Sequence, residues 1–222
     1  MSEQLDTKTL KNVYFYYSRV DEPVMTKKAK DAGYQQDPDN PMKNMEWQVK
    51  IIVSEEYFKK MKKNPAMKGA KNFVNAKEYT IAEFEEKFHA EEKENMPDFG
   101  DAEDVVLIKF SQKCQNTSGK NNQPPTLIGI KGKVMDNNDI PIKQQTLLGN
   151  GTAGMLQIRP VDFGVDHGLY LYPNAICVTE LVEYVGSSSH EVDYDAFGIE
   201  ELSEEDKEVA GEDDEFDEDI GF

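Results

Sequence analysis

Few side chains of this chain are spaced for covalent chemistry. The three histidines stand alone: His89 in an acidic, helix-like segment, His167 beside Asp166 in a turn-like one, His190 at the edge of an acidic run. None has a Ser, a Cys or a carboxylate pair at a spacing that would complete a nucleophile and its base, so no catalytic residue is assigned. Cys114 and Cys177 are far apart and no C-x-x-C occurs, which argues against a disulfide framework and a thiolate zinc site; no metal and no cofactor are expected. Gly149–Gly154 lacks Gly-Lys-Ser/Thr and opens onto a strand-like run, so it is not a phosphate-binding loop. What does recur is a cation set opposite an apolar face, with aromatic residues near it. The chemistry open to that pattern is non-covalent: ammonium and guanidinium groups neutralise phosphates, and rings stack on bases for about 1 to 3 kcal/mol each.

The elements that must carry these residues are mostly strands. Val13–Val20 is aromatic and β-branched, and alternation places Val13, Phe15, Tyr17 and Arg19 on one face and Tyr14, Tyr16 and Ser18 on the other. Both faces are aromatic, so one set of rings is either exposed or covered, by an added helix or by the partner subunit of a homodimer. Glu46–Val53 sets Trp47, Val49, Ile51 and Val53 toward a core and Gln48, Lys50 and Ile52 away from it, which makes Trp47 a packing residue. Val105–Phe110 reads as a buried strand. In Leu127–Val134, Ile128, Ile130 and Val134 share one face and Lys131 and Lys133 the other, with Gly129 and Gly132 marking a bend. Later strands run from Met155 through Arg159 to Val161 and from Leu169 to Val182.

Between them, Met1–Lys11 is polar and expected to be loose, and Asp21–Asn44 reads as a long basic loop holding Lys27, Lys28, Lys30 and Tyr34. Ser54-Glu55-Glu56-Tyr57 has the form of a helix start, with a helix to about Lys63 and then a basic, Pro-interrupted loop to Lys71. Thr80-Ile81-Ala82-Glu83 is a capping box opening a second helix with Ile81, Phe84 and Phe88 at core spacing. Five or more short, bent strands with one or two inserted helices predict a mainly β fold, an OB-fold-like, five-stranded, elaborated barrel. Several of its strands then place cations opposite the core: Lys50, Lys131, Lys133 and Arg159. Together with Tyr17, Arg19, Lys27, Lys28, Lys30 and Tyr34 these are the candidate contacts to a single-stranded nucleic acid in one shared groove.

Charge divides the chain. From Glu191 onward 16 Asp or Glu face one Lys, so this stretch holds 15 of the 18 net negative charges. Self-repulsion and few apolar groups predict a disordered acidic tail at 191–222 after a folded domain at 1–190. Phe216, Asp217, Glu218, Asp219 and the terminal Phe222 give that tail an acidic and aromatic end, suited to a basic cleft or a protein partner. No apolar run approaches the ~20 residues of a membrane span and the first residues lack signal-peptide character, so no membrane partner and a cytoplasmic location are expected.

The aromatic first strand, the glycine-rich turn before Met155-Leu156-Gln157-Ile158-Arg159-Pro160, the run Phe163-Gly164-Val165 to Gly168-Leu169-Tyr170-Leu171, Asn174–Val178 and the acidic end closing on Phe222 together resemble the single-stranded DNA-binding proteins of tailed bacteriophages. The resemblance implies an OB-fold, binding of single-stranded DNA of any sequence, and roles in DNA replication, recombination and repair in the host-cell cytoplasm. It also implies a tail that competes with DNA and then contacts a polymerase, helicase or primase through Phe222. The rival expectation is an acidic chaperone or decoy that holds basic proteins with its tail.

Overall fold

The computed structural model describes residues 3–89, 96–128 and 148–182, all within the compact unit Met1–Tyr184. Its strands are β1 (Glu3–Gln4), β2 (Lys8–Phe15), β3 (Arg19–Met25), β4 (Met45–Ser54), β5 (Lys77–Thr80), β6 (Asp104–Lys113), β7 (Thr126–Ile128), β8 (Thr152–Asp162) and β9 (Leu169–Glu180). The helices are α1 (Lys27–Asp31), α2 (Glu55–Lys63), α3 (Lys71–Val74) and α4 (Ile81–His89). The fold is mainly β, one mixed sheet in the order β5-β6-β4-β2-β8-β9-β7, with β1 added to β8 and β3 to β4. Only the β7–β9 pairing is parallel among the described strands. Among the described residues nine strands meet the prediction of five or more, and four short helices stand where one or two are predicted.

Alternation builds the core. Val49, Ile51 and Val53 of β4 face inward opposite Phe110, Ile108 and Val106 of β6, and all six are buried with Leu156 and Ile158 of β8 and Leu171 and Ile176 of β9. Trp47 is buried as expected. Gly154 leaves no room for a side chain between β8 and β9, since a Cβ there would stand 2.4 Å from the Cys177 carbonyl oxygen. The sheet then curls until β6 approaches β9, and Asn72 closes the seam. Its Nδ2 donates to the carbonyls of Lys109 and Leu171, each at 3.2 Å, while its Oδ1 accepts from the Leu171 amide at 2.8 Å. One side chain does there what a strand ladder does elsewhere in the barrel.

The helices follow their local signals. Ser54 accepts from the Tyr57 amide at 3.3 Å and starts α2, whose Phe58 and Met61 are buried in the main core. Thr80 and Glu83 exchange both bonds of a capping box, at 2.9 and 3.2 Å, and α4 lays Phe84 and Phe88 over Tyr16 with ring centres 5.2 and 5.6 Å away. An added helix therefore covers Tyr16, while Phe99 covers Tyr14 with ring centres 5.3 Å apart.

Three expectations are corrected. Met1–Lys11 contains β1 and the start of β2, because backbone pairing with β8 needs no apolar side chain and Leu10 supplies a buried anchor. The predicted strand Val13–Val20 ends at Phe15 and resumes as β3 at Arg19 after a turn, so Tyr17 does not share the inward face of Val13 and Phe15. Asp21–Asn44 is not all loop: β3 runs to Met25, and Thr26 accepts from the Ala29 amide to cap α1, a helix of five residues anchored only by buried Ala29. Of the strand predicted at Leu127–Val134, β7 accounts for the first residues; Gly129, Lys131, Gly132, Lys133 and the acidic tail from Glu191, including Phe216, Asp217, Glu218, Asp219 and Phe222, lie outside the described residues.

Candidate nucleic-acid interface

The outward row of β4 carries Gln48 and Lys50, and the strands beside it supply more cations at matching register. Lys109 of β6 lies opposite Lys50, Arg19 of β3 opposite Gln48, and Lys77 of β5 opposite Leu107, the neighbour of Lys109 on the same face. Among the described residues only Lys109 of these has a carboxylate partner, Glu46 Oε1 at 2.8 Å, and that oxygen also accepts from Gln48 Nε2. Among the described residues Arg19, Lys50 and Lys77 have none within ion-pair distance. Burial first, and then the positive charges of Lys109, Arg19 and Lys77, hold the Lys50 pKa below the ordinary lysine value. Four like charges are thus held together at a cost that an arriving anion would relieve.

Tyr17 forms the aromatic part of this surface. Its backbone is in the left-handed region, φ 47°, which disfavours a bulky side chain, and its side chain is 50% exposed. Such a conformation costs about 1 to 3 kcal/mol and persists only where the surroundings enforce it. They do so here. The Tyr17 amide donates to Asn150 Oδ1 at 2.9 Å, and the Gly151 amide donates to the Phe15 carbonyl. The Ser18 hydroxyl both donates to the Lys50 carbonyl (3.2 Å) and accepts from the Lys50 amide (3.1 Å), while the Tyr16 amide reaches the same carbonyl. The turn is fastened on both sides of Lys50, and the Lys50 ammonium lies 5.7 Å from the centre of the Tyr17 ring. Phe88 is 5.8 Å from Tyr17, and Lys87 lies over Tyr79 and Phe88 at 5.0 and 5.7 Å, so rings and cations continue toward α4.

Of the residues predicted from sequence, Tyr17, Arg19 and Lys50 come together here. Lys27, Lys28 and Lys30 are exposed on α1, and Tyr34 is 60% exposed just beyond it, at the Met45 end of β4. That end is five residues, roughly 17 Å, along the strand from Lys50, so these residues form a rim and not part of the cluster. Arg159 does not join Lys50 directly. It lies on β8 seven residues past Thr152, the partner of Phe15, and its guanidinium stands 5.9 Å from the Tyr172 ring. Of the four cations predicted to share one groove, Lys131 and Lys133 lie outside the described residues, and Arg159 stands on β8 apart from Lys50. Sequence reasoning missed Lys77, Lys87, Tyr79 and Lys109; the last was visible as the one charged residue in Val105–Phe110.

Elsewhere the geometry offers little chemistry. Burial pushes the Cys114 thiol up to about 12, leaving it a poor nucleophile, and both cysteines are free. His167 sits in the turn Phe163–Gly168, its amide bonded to the Gly164 carbonyl. Among the described residues no three His, Cys, Asp or Glu side chains gather as metal ligands, and no helix is long and apolar enough to cross a membrane.

No protein-family model and no curated protein matches the chain. Among solved structures it is similar to the single-stranded DNA-binding protein from bacteriophage Enc34, at 12% identity over 86% of this chain and 89% of that one, with a TM-score of 0.41. The same phage protein in complex with single-stranded DNA gives 13% identity, 81% and 89% coverage and a TM-score of 0.40. The single-stranded DNA-binding protein gp2.5 encoded by bacteriophage T7 gives 15% identity, 83% and 97% coverage and a TM-score of 0.42.

Proposed function

We propose that this protein binds single-stranded DNA without regard to sequence and without catalysis, through the face built by β3, β4, β5 and β6. The observation that carries the reading is Tyr17: an exposed ring in a strained backbone conformation, fastened beside Lys50 within a cluster of like charges. Tyr17 touches Phe88 and Lys50 yet stays half exposed, and a base stacked on its open side would add to what offsets the strain. Phosphates passing Arg19, Lys50, Lys77 and Lys109 relieve their mutual repulsion and release counterions. Unpaired bases are required, because the ring can stack only on a base whose face is open. Lys27, Lys28, Lys30, Tyr34 and Arg159 extend the path, with Lys131 and Lys133 assigned to it from strand alternation.

The domain boundary near residue 190 and the acidic tail complete the reading. The tail occupies the cationic face when DNA is absent, and DNA frees Phe216, Asp217, Glu218, Asp219 and Phe222 to recruit a polymerase, helicase or primase in phage replication, recombination and repair. The phage proteins above are named for binding single-stranded DNA; here the proposal rests on this chain's own surface and on the acidic-aromatic tail. Fluorescence titration with oligothymidylate and with duplex of equal length tests it. The expected result is strong preference for the single strand, log affinity falling steeply with log salt, and tighter binding once 204–222 is removed. Binding that resides wholly in the tail, or no preference for single strands, refutes it.

A further inference from the structure

A second group of rings stands on the hairpin joining β8 to β9. Phe163, Tyr170 and Tyr172 have ring centres 5.9, 6.3 and 6.4 Å apart, Tyr170 and Tyr172 being stacked, and Phe163 and Tyr170 are 37% and 38% exposed. Arg159, opposite Tyr172 in the ladder, holds its guanidinium against that ring, and its buried Nε has no hydrogen-bond partner. No carboxylate lies within ion-pair distance of it among the described residues. The adjacent Asp162 accepts from the Gly164 amide at 2.8 Å. A cation beside open rings, with no acidic partner among the described residues, suits an anionic ligand better than an apolar protein surface.

The position of these rings points the same way. Along β2 and β8 they are remote from Tyr17, but the barrel brings them back from the other side. Asn72 bonds at once to the Lys109 carbonyl, in the cationic cluster, and to both backbone groups of Leu171, the residue between Tyr170 and Tyr172. Lys109 and Leu171 therefore form the two banks of the barrel seam. We infer that Phe163, Tyr170 and Tyr172 are a second stacking platform for single-stranded DNA, reached by a strand that passes from Tyr17 and Lys50 across the seam to Arg159. This rests on the function proposed above and adds a second contact to it. The turn also carries Asp166, so the platform holds bases by stacking and contributes little net charge.

The test uses the full chain with oligothymidylates of about 5 and about 16 nucleotides, near the limits that one OB-fold covers. The double variant Phe163→Ala, Tyr170→Ala is expected to weaken binding of the longer oligomer about five- to a hundredfold and to leave the shorter within twofold, with an unchanged salt slope. The corresponding double Leu variant keeps the apolar area and controls for folding; it should lose as much, since it removes the rings. Unchanged affinity for the longer oligomer overturns the platform, as do equal losses at both lengths, rescue by Leu, or a fall in native mass showing that the rings cover a second copy of the chain. If the unaltered protein binds neither oligomer, the proposed function fails and the platform with it; if it binds both and only the double variant shows no effect, the platform alone fails.

Discussion

Ile52 and Lys50 are two residues apart on the outward row of β4, yet they occupy opposite kinds of surface. Around Ile52 the sheet is roofed by α4, and Tyr16, Phe84 and Val105 form a second small core with Phe88, Phe99 and Leu107 packed against it. Lys50 lies outside that small core and stays partly exposed, and the neighbouring strands present Arg19, Lys109 and Lys77 with Tyr17. Tyr16 and Tyr17 divide the same way, one fully buried and the other half exposed. Strand alternation alone assigns Tyr16, Lys50 and Ile52 alike to the outside and puts Tyr17 and Arg19 on the opposite face. What distinguishes packing from binding is how far the helix extends, and the strained turn at Tyr17 lies at that boundary.

The largest effect that separates the two halves should come from the roof. Phe84→Ala opens a fully buried ring position and is expected to cost about 3 to 5 kcal/mol of stability in urea unfolding, with DNA affinity per folded molecule unchanged. A matching loss of affinity in the folded fraction would mean that the halves are not separate. Next in size is the pair Tyr17→Ala and Tyr17→Gly. Both should lose about 1 to 3 kcal/mol of binding to oligothymidylate. They should differ in stability, with Gly the more stable by about 1 kcal/mol, because only Gly accepts φ 47° without strain. Equal stability would remove the argument that the turn is strained for function. Lys50→Met sharpens the comparison further. It should weaken binding and lower the salt slope by about 1, while raising stability, read as a higher Tm.

The core half of this comparison is legible in the sequence and the binding half largely is not. Trp47, Val49, Ile51 and Val53 announce the face of β4, and Ser54 and Thr80 announce both longer helices, because those signals lie within a few residues. The end of β2 is different: Val13–Val20 alternates without a break, and the turn that splits it is held by Asn150, 133 residues away. Lys109 is hidden by the continuous apolar run Val105–Ile108, which masks alternation because both faces are covered there. The meeting of Arg19, Lys50, Lys109 and Lys77 depends on β6 lying beside β4, a fact of strand order that no local pattern contains.

The smallest predicted effect tests the electrostatics alone. Because the Lys50 pKa is lowered in the folded protein, the unfolded chain holds that proton more tightly than the folded one. Below the lowered value both states are protonated and the folded state carries the full repulsion from Lys109, Arg19 and Lys77. As pH rises through it, the folded state releases the proton first and stability increases, levelling off beyond the ordinary value of 10.5. Lysines and tyrosines not coupled to Lys50 act alike in wild type and Lys50→Met, so the difference between their unfolding free energies isolates Lys50 together with its coupled neighbours Lys109 and Lys77. That difference should shrink as pH rises toward 10.5 and should already be smaller at any pH once DNA phosphates neutralise the cluster. A difference that is constant with pH would place Lys50 in open solvent, and the half of the sheet around it would then be ordinary surface.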